Sequence, residues 1–154
     1  MTIPDKGQND IVELLARHEE AIAKLYNLYG QQFAGHGDFW RKLAGEEIQH
    51  ANMLRRLRTR IEAGEGRIIH ERFDSEALRE SLGRIEAIIE KTAKGELDHK
   101  EATEIAAAIE GSIAESRYFE VFEGDCAEIL QVQYYLNGAT EDHRQRILKA
   151  SGES

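Results

Sequence analysis

The sequence predicts an all-α protein. Three observations carry this. The only proline is Pro4, the breaks in the body of the chain are made by glycine and aspartate, and apolar residues recur at steps of three and four over long stretches. Proline is the strongest helix breaker, so its confinement to the extreme N-terminal region leaves nearly all of the 154 residues free to be helical.

The elements follow in order. Helix A is expected near 9–34, before Gly35 and Gly37, which flank His36. Helix B follows near 38–63, ended by Gly64 and Gly66. The stretch 64–74, G-E-G-R-I-I-H-E-R-F-D, reads as a crossover loop. Asp74 or Ser75 can cap a helix near 75–94, and T-A-K-G at Gly95 is a C-terminal stop. Helix C is expected near 98–123, where Asp98 and Glu101 make a capping box. Helix D is expected near 125–149, with Asp125 as its N-cap and the final S-G-E-S frayed. Two hairpins, A–B and C–D, separated by a crossover and one extra helix, describe a four-helix bundle with one long connection. The length fits one domain over residues 1–154.

Composition narrows the function classes. Asp and Glu number 29 against 20 Lys and Arg, a formal charge of −9, which argues against nucleic acid and anionic membrane as main partners. Hydrophobic residues at 41% suffice for a core, so wholesale disorder is not expected. The lone cysteine, Cys126, excludes an internal disulfide framework and any four-Cys zinc or iron module within the chain. No apolar run approaches the ~20 residues of a membrane span. The opening M-T-I-P-D-K-G-Q-N-D has no apolar stretch of a secretory signal, and a cytoplasmic location is expected.

Polar residues interrupt the apolar stripes at a few positions. Helix A carries Val12, Leu15, Ile22, Tyr26, Tyr29 and Phe33 on one face, and the missing member of that stripe is Glu19. Helix B carries Phe39, Leu43, Leu54, Leu57 and Ile61, with Glu47 and His50 in the middle. Three residues apart, these two project from the same side on adjacent turns. A carboxylate buried alone is costly, so in practice it is paired, protonated or metal-bound. Glu-x-x-His inside a bundle lets both side chains reach one metal ion.

Helix D gives an imperfect second copy: Ile129, Val132, Leu136, Thr140, His143 and Ile147. His143 takes the place of His50, but Thr140 stands where a second Glu is expected. The alternative register, Glu141-x-x-Arg144, falls on the flank. On helix C, Ile105, Ala108, Ile109, Ser112, Phe119 and Phe122 make the apolar face, which Glu115 shares. Glu110 lies on the other shoulder with Ala106, Ile113 and Arg117, and periodicity does not choose between the two acids.

The segments E-E-A-I-A-K-L-Y and F-W-R-K-L-A-G-E-E-I-Q-H-A-N-M-L resemble the rubrerythrin-like branch of the ferritin-like superfamily. A-I-E-G-S-I-A-E-S-R-Y-F-E-V-F followed by T-E-D-H-R-Q-R-I resembles the second hairpin of the same branch, so the likeness covers most of 9–149. The resemblance implies a ferritin-like four-helix bundle holding two metal ions, usually iron, between Glu residues and two Glu-x-x-His pairs. By position, Glu19, Glu47, His50, either Glu110 or Glu115, and His143 would be ligands. Thr140 departs from the pattern, so a water, Glu141 or Glu115 would complete the coordination, or one metal position would be weak or empty.

Carboxylates and imidazoles suit Fe, Mn or Zn. The implied activity is oxidation of ferrous iron coupled to reduction of peroxide or oxygen, with electrons from a separate donor protein. The alternative is a degenerate bundle serving as an interaction or scaffold module, and iron storage in a larger shell is a third possibility. A homodimer is expected. Tyr26 and Tyr29 read as core residues, Phe39 and Trp40 as packing at the entrance of helix B, and His18, His36, His70 and His99 as flank or loop residues without a role.

Overall fold

The computed structural model describes residues 6–124 and 126–152. Its described residues are almost wholly helical, with five α-helices and two strands of two residues each. The elements are α1 (Lys6–Gln32), α2 (Gly37–Glu62), β1 (Arg67–Ile68), α3 (Ser75–Ala93), α4 (His99–Ser116), β2 (Phe122–Glu123) and α5 (Ala127–Gly152). None of the described helices is long and apolar enough to cross a membrane.

Local chemistry sets most of these boundaries. Asp74 caps α3 by accepting from the Ala77 N–H at 2.9 Å. Asp98 and Glu101 form the reciprocal capping box that opens α4, each side chain accepting from the other's backbone N–H. Past the end of α3, Gly95 adopts φ +73° and its N–H reaches Thr92 O at 2.9 Å. Asp125 lies outside the described residues. The helix α5 runs on through Ser151 and Gly152, beyond the end near 149 and into the tail expected to fray.

Helix C departs most from expectation. It ends at Ser116, because Arg117 takes the left-handed conformation (φ 52°) and residues 118–121 form a single 3-10 turn. The reason lies in Tyr118, Phe119, Val121 and Phe122, all buried. In one continuous helix they would spread over ~160° of its circumference. Breaking the helix turns all four inward and frees Phe122 and Glu123 to pair with the crossover. There β1 and β2 run antiparallel, Arg67 opposite Glu123 and Ile68 opposite Phe122, and the Ile69 N–H reaches Val121 O at 2.7 Å. Gly66 and Gly124 permit the approach: a Cβ on Gly124 would lie 2.7 Å from Glu65 O, and one on Gly66 2.9 Å from Glu123 O.

Packing gathers four helices around one interior. The α1–α2 hairpin and the α4–α5 pair make the most extensive contacts, α2 lies against α5, and α3 covers the outside of α1. The buried stripes are Val12, Leu15, Ile22, Tyr26 and Tyr29 from α1, Leu43, Leu54 and Leu57 from α2, and Ile129, Leu136 and Ile147 from α5. On α4 the inward face is Ala102, Ala106, Glu110 and Ile113. The face richer in large apolar residues, with Ile105, Ile109 and Ser112, instead faces Ser81, Ile85 and Ile88 of α3 across a groove of about 220 Å³.

Candidate metal centre

In the middle of this interior five titratable side chains meet. Glu19 comes from α1, Glu47 and His50 from α2, Glu110 from α4 and His143 from α5. All five are at least 97% buried, so bulk water solvates none of them. They fall into two trios whose ligand atoms lie within 4.8 Å of one another: Glu19, Glu47 and His50, and Glu47, Glu110 and His143. Glu47 belongs to both. Its Oε1 is 2.6 Å from His143 Nδ1, and its Oε2 is 3.4 Å from His50 Nδ1. Glu110 Oε1 lies 3.4 Å from His143 Nδ1 and accepts the Tyr26 hydroxyl at 2.9 Å.

Three carboxyl groups at this distance cannot all be ionised without countercharge. Burial raises the pKa of Glu19 far above the usual range, and its neighbour Glu47 raises it further. Burial and Glu47 push Glu110 up to about 8, with His143 and Tyr26 pulling the other way. Glu47 is driven down despite its burial, by its close neighbours Glu19, His143 and His50, of which His143 is hydrogen-bonded to it. Burial opposes the charge on His143, yet Glu110 and Glu47 hold its pKa up to about 10. These five side chains alone thus form one ion pair, Glu47 with His143, beside two neutral acids. Two buried atoms on α2, Glu47 Oε2 and His50 Nε2, have no hydrogen-bond partner. Such orphans in an acid-rich interior fit a site built to receive a cation.

The structure places the remaining sequence candidates as follows. Glu115 is exposed, on a surface concavity with Gly111, Arg117, Glu141 and Arg144, so of the two helix C acids Glu110 alone joins the cluster. Glu141 is likewise outside and pairs with Arg144 at 3.3 Å. Thr140 is buried, but its hydroxyl donates to Leu136 O at 2.9 Å within its own helix and is not offered to the cluster.

Three contributors escape sequence reasoning. Glu46 reaches His143 Nε2 at 3.2 Å from behind and is held by both terminal nitrogens of Arg146, at 2.9 and 3.1 Å. Nothing local in the sequence marks a contact a hundred residues away. Tyr26, read as plain core, is a hydrogen-bond donor to Glu110; its place two turns after Glu19 on one stripe was the available signal. His18, expected on a flank, is buried, and its Nε2 pairs with Ser81 Oγ of α3 at 2.9 Å. Burial lowers its pKa to about 4, so it sits there as neutral imidazole.

Compared with family models, curated proteins and solved structures, the chain gives no match.

Proposed function

We propose that the chain binds two transition-metal ions, iron foremost, in a ferritin-like bundle of the rubrerythrin type, with Glu47 common to both ligand sets. The observation that carries this reading is the sharing of Glu47 between two trios of buried ligand atoms. Glu19, Glu47 and His50 would hold one ion, and Glu47, Glu110 and His143 the other. The group would supply ferrous oxidation coupled to reduction of peroxide or oxygen. The chain's own residues do the rest. Glu46 accepts the Nε2–H of His143 and so keeps Nδ1 aimed at the site, and Tyr26 steadies Glu110 in the same way. The apolar walls exclude water and strengthen each charge interaction. Because Cys126 is the only cysteine, no four-Cys electron-transfer module lies within this chain, which supports a separate donor. Leu130 and Tyr134, exposed one turn apart on α5, support a homodimer.

The test is metal analysis of protein purified with iron and manganese supplied. The expected result is about two equivalents, falling below about one tenth in the Glu47→Ala, His50→Ala variant. Wild-type protein with less than about one tenth of an equivalent would overturn the metal reading in favour of the scaffold alternative, with which the Thr140 hydroxyl, bonded within its own helix, agrees.

A further inference from the structure

The helices α3 and α4 follow one another in the chain, yet they barely touch along their length. Between them lies the groove of about 220 Å³. Each helix lines it with four residues spaced i, i+3, i+4 and i+7, which is one helical face. Faces of this kind normally pack on each other, and here they stand apart.

The groove is polar at one end and apolar at the other. Residues 94–98 turn the chain back, so Ile88 of α3 stands opposite Ile105 of α4 near the turn, and Ser81 stands opposite Ser112 at the far end. Ile85 and Ile109 line the stretch between. Arg84 lies one turn from Ser81, and helical side chains lean toward the N-terminus, which carries its guanidinium toward the serine end. Among the described residues Arg84 makes no ion pair, and no acid lines the groove. In a chain of net charge −9 this leaves a cation unanswered beside two hydroxyls. Ser81 is fixed there by His18, whose Nε2 lies 2.9 Å from its Oγ. The lined stretch spans seven residues of helix, about 10 Å at roughly 1.5 Å each. At ~30 Å³, the share of one water in the liquid and close to that of a methylene, the groove holds about seven carbons in single file. A helix of that length, about 10 Å across, would need several times the volume. A partner helix therefore does not fit, and one extended alkyl chain does.

We propose that the α3–α4 groove binds a free medium-chain carboxylic acid of about eight carbons, its chain along the four isoleucines and its carboxylate on Arg84. Burial of the chain supplies most of the affinity. The guanidinium sets the direction of the chain and the charge of its head, and Ser112 offers a hydroxyl donor beside it. The site is separate from the buried cluster of acids and histidines and does not rest on what that cluster binds.

The test is calorimetric titration of the whole chain with octanoate below its micelle range, with octanol and octylamine in parallel. One saturable site per chain is expected for octanoate at a Kd below about 1 mM, with octanol held at least about tenfold more weakly and octylamine not bound. Arg84→Gln should weaken octanoate at least about tenfold and leave octanol within about twofold. Arg84→Lys should recover most of that loss. Ala108→Trp, which places a ring in the groove from an exposed position, should abolish binding of both. Melting curves check that each variant folds, and because Arg84 is exposed, Arg84→Gln decides the matter if Ala108→Trp does not fold. No saturable octanoate binding, octylamine bound as tightly as octanoate, or octanoate binding unmoved by Arg84→Gln or by a folded Ala108→Trp overturns the site. Binding to phosphatidylglycerol vesicles without binding of the free acid assigns this face to a membrane surface and overturns it too.

Discussion

On the α2 side of the cluster, His50 turns Nδ1 toward Glu47 and leaves Nε2 buried without a partner. On the α5 side, His143 has carboxylates at both nitrogens: Glu47 and Glu110 at Nδ1, Glu46 at Nε2. The two helices look like copies in sequence, and the α5 copy looks the poorer because Thr140 replaces a Glu. In space the α5 imidazole is the better fixed of the two, through Glu46 and Arg146. A missing inner carboxylate is therefore no measure of how well the rest of a site is held. The orienting group can come from another helix entirely.

That contrast can be broken from the α5 side first. Glu46→Gln should weaken metal at the His143 position by roughly 10- to 100-fold, the usual cost of removing such an outer partner, and leave the Glu19, Glu47 and His50 position nearly unchanged. Titration with iron or manganese, read by calorimetry, would show one weakened step of two. Equal weakening of both steps would mean that the halves are not separable.

Restoring the missing acid sharpens the contrast. Thr140→Glu adds a fourth carboxyl group to the buried cluster and should lower the thermal stability of metal-free protein by about 1–3 kcal/mol. Added metal should recover that loss and tighten the His143 position, a change seen in paired melts with and without manganese. A variant that is destabilised with metal as well would show that position 140 does not reach the site.

The smallest effect comes from a control far from both halves. On the outer side of α1 and α2, Arg55 bonds Glu13 and Glu20 at 3.1 and 2.8 Å, with all three side chains partly exposed. Arg55→Ala should cost at most about 1 kcal/mol and leave metal content unchanged. Hydrogen bonds from Arg55 hold both carboxyls below their usual pKa of 4.5. Their contribution is therefore full above that value and is lost as pH falls through the lowered folded pKa. The variant's melting temperature should fall less steeply than wild type below about pH 4.5. Parallel curves would remove the pair from the account.

Much of the helix layout was legible because its signals are local. Asp74 and the Asp98–Glu101 box act within four residues, and the stripes of α1, α2 and α5 place Glu19, Glu47, His50 and His143 inside by period alone. The rest depends on partners. The face of α4 misleads because its larger apolar residues line a groove toward α3, while small alanines beside Glu110 make room for the cluster. His18 is inside only because α3 folds over it, and the Glu46–Arg146 pair exists only once α2 and α5 meet.

The pairing of Arg67 with Glu123 and Ile68 with Phe122 also has a topological meaning. It joins positions up to 56 residues apart and closes a loop of chain that contains α3 and α4. Closure entropy grows only slowly with loop length, so lengthening the enclosed segment adds little to its cost. Exposed Lys94, Gly95 and Glu96, between α3 and α4, are thus where an inserted sequence is expected to be tolerated while both hairpins stay tied.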